Sequence, residues 1–115
     1  MVIRQRDVWW AGLPEPRGSE AGFRRPVVVV QGDRFNRSRI ATVVCVPLTS
    51  ELRWADAPGN VRLSARATGL TRDSVANVSL VLAVDRDQLD ERVGAIPERQ
   101  LQQVLVGIDT VLGRL

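Results

Sequence analysis

A chain of 115 residues makes one domain with a modest core and leaves no room for two. Hydrophobic residues at 44% and charged residues at 25% describe a globular chain rather than a disordered one, and its apolar runs, residues 26–30 and 43–48, are far shorter than the roughly 20 residues of a bilayer span. With no histidine and a single cysteine, a Ser-His-Asp triad, a Cys-His pair, a His-bearing zinc site and a Cys-rich zinc knuckle are all excluded.

In chain order, Asp7-Val8-Trp9-Trp10-Ala11-Gly12-Leu13 is apolar and aromatic and predicts a first strand. Of its two adjacent tryptophans one should enter the core and the other face outward. Residues 14–22 hold two prolines and two glycines and predict a long loop. Residues 26–31 are a β-branched run too short for a helix, so they predict a buried strand. Residues 32–39 are polar and basic, a connection with room for one short helical turn. A third strand is predicted over 40–48, a short one over 60–64 after the turn Ala57-Pro58-Gly59, and one long or two short strands over 74–85. From Glu98 the period changes: Leu101, Val104, Leu105, Ile108, Val111 and Leu112 recur at helical spacing behind Pro97, which suits a first helical turn. Short strands followed by one helix predict a small, curved antiparallel barrel or sheet covered by that helix.

Charge is unevenly placed. Every one of the sixteen basic residues is arginine, a planar fork that matches phosphate. Residues 1–72 carry twelve arginines against six acids, a net of +6, whereas residues 73–115 carry four against seven, a net of −3. The basic first part suits an anionic partner, although an ordinary solvated surface has the same composition. Cys45 lies in an apolar run and is expected to be a buried thiol in a reducing compartment. The first seven residues contain no apolar stretch, so no signal peptide is expected and the cytoplasm is the expected location.

The loop Arg17-Gly18-Ser19-Glu20-Ala21-Gly22-Phe23-Arg24-Arg25-Pro26 delivers a carboxylate and two adjacent arginines to the start of the valine strand. Pro26 favours extended backbone at Arg25, so Arg24 and Arg25 should point to opposite sides. Such a pair makes an anion clamp or a solvated strand entrance. Thr49 and Ser50 end a strand and either bind a phosphate oxygen or close a turn. Trp9, Trp10 and Trp54 are candidates for base stacking. The segment Arg34-Phe35-Asn36-Arg37-Ser38-Arg39 has the mixture of an RNA-binding surface and equally that of an exposed loop.

These pieces fall in a familiar order. Asp7-Val8-Trp9-Trp10-Ala11, Gly18-Ser19-Glu20, Arg25-Pro26-Val27-Val28-Val29 and Val46-Pro47-Leu48-Thr49-Ser50 closely resemble the MazF/PemK family of toxin endoribonucleases. Pro58-Gly59-Asn60-Val61, Gly69-Leu70 and Asp73-Ser74-Val75-Ala76-Asn77-Val78 resemble its actinobacterial branch. The likeness runs in order over roughly the first 95 residues, with the helix after Pro97 in the expected place.

The resemblance implies an SH3-like antiparallel barrel with a C-terminal helix in a single domain. It implies a homodimer, no cofactor, no membrane association, and metal-independent cleavage of single-stranded RNA that arrests translation and growth. It also implies a cognate antitoxin whose acidic tail blocks the RNA groove. By position, Arg25 and Thr49 match the family's catalytic pair, and Glu20 matches a loop carboxylate also implicated in activity. Arg24, Ser50, Arg17 and Arg53 are the residues expected to contact RNA. Ser79 and Leu80 stand where many relatives have Asp-Gln, so a mechanism with that Asp as base does not transfer. The chemistry suits a chain without histidine, because RNA brings its own 2′-OH nucleophile and the protein must orient it and stabilise charge on phosphate. A guanidinium holds its proton too tightly for a general base, which makes Glu20 the better acceptor. The competing reading is a non-catalytic, topoisomerase-binding module on the same scaffold, for which an Arg25–Thr49 pair would be unnecessary.

Overall fold

The computed structural model describes residues 1–15, 17–19 and 23–115. The strands are β1 (Asp7–Gly12), β2 (Arg24–Val29), β3 (Thr42–Thr49), β4 (Val61–Leu63), β5 (Ser74–Ala76), β6 (Leu82–Asp85) and β7 (Leu89–Ala95), and the helices α1 (Asp33–Asn36), α2 (Ala65–Thr68) and α3 (Glu98–Val111). They make one antiparallel sheet in the order β4-β5-β3-β2-β1-β7, with β6 also paired to β3. The predicted region 74–85 is two short strands separated by a 3-10 turn at Val78–Leu80.

The valine run explains the centre. Val27 and Val29 face one side of the sheet with Trp9, Ala11, Val43 and Cys45, while Val28 and Val30 face the other with Val8, Val46 and Leu48. A strand buried on both faces needs no polar alternation. The second side is completed by Leu101 and Val104 of α3, which is why the helix carries its apolar stripe. That stripe ends early: Val111 and Leu112 are exposed.

Pro47 marks a handover. Upstream of it Thr42 to Cys45 pair with β6; downstream Leu48 and Thr49 pair with β5. Proline has no N–H for either neighbour, so the ladder can change partner there without losing a donor. This brings Thr49 beside β5 rather than β6.

The sheet is curled but not closed. β4 and β7 are the two ends of the hydrogen-bonded path, so of the expected curved antiparallel barrel or sheet the chain forms the open version. Its ends are bridged by backbone packing. Helix α2 follows β4 by one residue, and a Cβ on Gly94 of β7 would lie 2.8 Å from the Thr68 carbonyl oxygen.

β7 has no strand signature, because Asp90-Glu91-Arg92 interrupts its apolar residues. It pairs with β1 through two register shifts, between Val8 and Trp9 and between Trp10 and Ala11. Its charges find partners across the sheet. Arg92 Nε donates to Asp7 Oδ1 at 3.1 Å. Asp7 is 2% exposed, and its other oxygen accepts from the Arg4 N–H and from Trp9 Nε1, as a buried carboxylate requires.

Cys45 is fully buried, and burial pushes its thiol pKa up to about 12. At pH 8 it is therefore protonated as well as shielded, and thiolate is the reactive form. Labelling of the native protein by a disulfide reagent at pH 8 should proceed only at the unfolding rate and become immediate in denaturant. Rapid labelling of native protein would contradict this packing.

Candidate active site

Two strand ends meet at the site. Pro26 pairs only with β1, because β2 begins to pair with β3 at Val27, so its missing N–H costs the sheet nothing. The residue before it, Arg25, is half-buried, and its Nε is buried with no hydrogen-bond partner among the described residues. A buried donor without an acceptor costs stability, while the half-buried residue as a whole borders open space. Thr49 ends β3 and is half-buried. Its Oγ1 accepts from the Glu51 N–H at 3.1 Å, which closes the turn and leaves the hydroxyl proton for another acceptor. Of the two alternatives weighed for this residue, turn closure is the one observed.

Arg25 and Thr49 form the shared wall of two hollows. One, of about 220 Å³, is bounded by Trp10, Pro26, Leu48, Ser50, Leu70 and Arg72. The other, of about 450 Å³, is bounded by Ser19, Trp54, Ala57, Asn60, Asn77 and Ser79. A chain lying from one hollow into the other passes a guanidinium and a hydroxyl at the crossing. Ser79 and Leu80, the residues at the family's Asp-Gln positions, both line the second hollow.

The other expected contacts are placed differently. Ser50 joins Arg25 and Thr49 in the first hollow. Arg24 points away, as the alternation at Pro26 implies. Its guanidinium bonds Asp90 Oδ1 at 3.0 Å and Glu91 Oε1 at 3.2 Å and lies 4.6 Å from the Trp10 ring centroid. The Asp90 hydrogen bond, more than any other influence, raises the Arg24 pKa above its ordinary value. Arg53 sits on the 3-10 turn Leu52–Asp56, pairs with Glu51 at 3.6 Å and stacks over Trp54 at 5.2 Å. Arg17 is exposed on the β1–β2 loop and borders neither hollow. Glu20 lies outside the described residues. Trp9 is in the core and Trp10 half-exposed, as expected.

Because Arg24 is already held by two carboxylates and a ring, phosphate must compete for it. Arg24→Gln should weaken RNA affinity less than threefold at moderate salt, an exposed and screened pair being worth little. Filter binding with an uncleavable RNA checks this; a loss beyond tenfold would restore Arg24 as a primary contact.

Sequence reasoning missed Asn60, Asn77 and Arg72. Asn77 had a signal: it is a lone amide within the apolar run Val75-Ala76-Asn77-Val78. Arg72 had none, since exposed arginines are everywhere in this chain.

The site is thus a small curled sheet with an Arg–Thr crossing between two hollows. Residues 4–112 match the family of PemK-like, MazF-like toxins of type II toxin–antitoxin systems, and the chain belongs to that family. It is 43% identical over 112 residues to the protein named Endoribonuclease MazF6 of Mycobacterium tuberculosis, covering 97% of this chain and 98% of that protein. It is 30% identical over 104 residues to Endoribonuclease EndoA of Bacillus subtilis, covering 90% of this chain and 89% of that one. Among solved structures, MazF from Deinococcus radiodurans shares the fold at a TM-score of 0.82 with 23% identity, covering 98% of each chain. A mycobacterial endoribonuclease solved in complex with its cognate antitoxin shares it at 0.70 with 20% identity, covering 97% of this chain and 94% of that one.

Proposed function

We propose that this chain is the RNA-cleaving toxin of a toxin–antitoxin pair, cutting single-stranded RNA at short specific sequences without a metal ion. The observation that carries the reading is the placement of Arg25 and Thr49 at the crossing between two hollows. A scissile phosphate seated there meets the Arg25 guanidinium and the Thr49 hydroxyl. The ribose 2′-OH attacks phosphorus in line and the 5′-oxygen leaves. The 2′-proton goes to a base, for which Glu20 is the candidate, and the leaving oxygen collects a proton. Arg25 stabilises the added negative charge through parallel N–H donors and Thr49 donates to a non-bridging oxygen. The products are a 2′,3′-cyclic phosphate and a 5′-OH end.

The test is incubation with a long unstructured RNA in excess EDTA, followed by end-group analysis. Cyclic-phosphate and 5′-OH ends are expected. A requirement for added divalent metal, or 5′-phosphate ends, would remove this mechanism; no cleavage at all would favour the non-catalytic binding module.

A homodimer is part of the proposal. Val106, Val111 and Leu112 of the α3 region are exposed, an apolar surface that a second copy would cover. Light scattering at micromolar concentration should give about twice the chain mass. A cognate antitoxin with an acidic tail is the second partner proposed, since its carboxylates would compete with RNA phosphate for Arg25.

A further inference from the structure

The two hollows differ in chemistry, and the difference assigns them different parts of an RNA strand. The hollow behind Trp10 is walled by Pro26, Leu48 and Leu70, with Ser50, Thr71, Arg72 and Ser74 as its polar groups beyond the Arg25–Thr49 crossing. Each hollow has an indole with an arginine against it, Trp10 with Arg24 and Trp54 with Arg53, so the remaining polar groups distinguish them. Hydroxyls and an arginine suit a sugar–phosphate unit, which has no edge to read. The hollow beside Trp54 offers an indole and side-chain amides, the groups that stack on and read a base.

In that second hollow one asparagine is structural and the other is free to read. Asn60 uses both ends of its amide: Nδ2 donates to the Trp54 carbonyl at 2.9 Å and Oδ1 accepts from the Val78 N–H at 3.0 Å. It ties the turn carrying Trp54 to the turn carrying Ser79. Trp54 is 45% exposed on that tied turn, and so is a pre-set stacking platform. Asn77 uses one end only. Its Oδ1 accepts from Ser79 Oγ at 3.0 Å, and its Nδ2 has no partner among the described residues.

We propose that the hollow bounded by Trp54, Asn77 and Ser79 is the specificity subsite for one nucleobase adjoining the scissile phosphate. Trp54 stacks on the base, the Asn77 Nδ2 donates to an acceptor on its edge, and Ser79 orients the Asn77 amide. Ser79 thus acts as a positioning residue for base reading, at the place where many relatives carry an acid. The subsite rests on the nuclease reading above, because its register is set by a phosphate at Arg25 and Thr49.

The test maps the 5′-OH ends produced from a randomised single-stranded RNA pool by wild-type protein and by the Asn77→Ala, Asn77→Asp, Ser79→Ala and Trp54→Ala variants. Asn77→Ala should lower kcat/KM about tenfold for RNAs with the preferred base at one position next to the cut and leave other bases there unchanged, flattening that position alone. Asn77→Asp keeps the shape, removes the donor and should favour a base presenting a donor instead. Ser79→Ala should flatten the same position more weakly. Trp54→Ala should raise KM for all sequences alike, since stacking is sequence-tolerant. An unchanged cleavage motif in folded Asn77→Ala and Asn77→Asp, or one uniform slowing across all sequences, overturns the subsite while leaving the nuclease reading intact. A wild-type protein that cuts no RNA in the pool overturns the nuclease reading itself, and the subsite with it.

Discussion

Arg25→Ala protein will fold normally and cleave RNA at least about a hundredfold more slowly than wild type, the scale expected when one donor to a developing oxyanion is removed. Stability and activity separate at this residue for a stated reason. Arg25 Nε is buried without a partner among the described residues, so deleting the side chain removes an unsatisfied donor rather than a bond. The thermal midpoint should stay level or rise. Arg25→Lys should recover only part of the rate, because an ammonium is a point charge and cannot match two phosphate oxygens in parallel. Thr49 behaves differently. Thr49→Ala loses the bond from the Glu51 N–H as well as the hydroxyl donor, costing about 1 kcal/mol of stability alongside the activity, whereas Thr49→Ser keeps both. Single-turnover cleavage and thermal melts on the same preparations decide it. An Arg25→Ala protein that is folded and cleaves at the wild-type rate removes this residue from the mechanism. A drop in midpoint that tracks the lost activity would make Arg25 structural.

The second large effect concerns Gly107, in the middle of α3. Helix propensity alone says that Gly107→Ala should stabilise by about 1 kcal/mol. Packing says the opposite. A Cβ at Gly107 would overlap the Gly59 carbonyl oxygen and lie 3.2 Å from Val78 Cγ1. Gly59 is itself at φ +85°, and a Cβ there would lie 2.9 Å from the Gly107 carbonyl oxygen. Backbone meets backbone, so no rotamer change relieves the clash. Gly107→Ala should cost about 2–3 kcal/mol and lower the midpoint by roughly 10 °C. Gly12, with open space where its Cβ would go, is the control, and Gly12→Ala should change the midpoint by under about 2 °C. A stabilised Gly107→Ala protein would show that α3 does not rest on the Gly59 turn. The consequence reaches the site, because Asn60 follows Gly59 and holds the Trp54 turn; the same variant should also raise KM for RNA.

The sequence by itself determined the elements whose pattern is local. The valines 27–30 read as a buried strand because each is apolar and β-branched, and α3 read as a helix because its stripe has the helical period. The opposed directions of Arg24 and Arg25 followed from Pro26, whose effect on its neighbour is local too. Arg25 and Thr49 were legible as candidates from the ordered motifs around them. What only the tertiary structure decided depends on partners distant in sequence. β7 is a strand because its acids meet Arg24 and its Arg92 meets the buried Asp7, and residues 66 or more positions away supply the charge balance that its own pattern lacks. Whether the sheet closes was also decided there, by α2 resting on Gly94 in place of a hydrogen-bonded seam. So was the division of labour between the asparagines. Asn60 and Asn77 carry the same amide, and only the backbone groups of Trp54 and Val78, brought up by folding, occupy both ends of the first, whereas the second keeps its Nδ2 without a partner among the described residues.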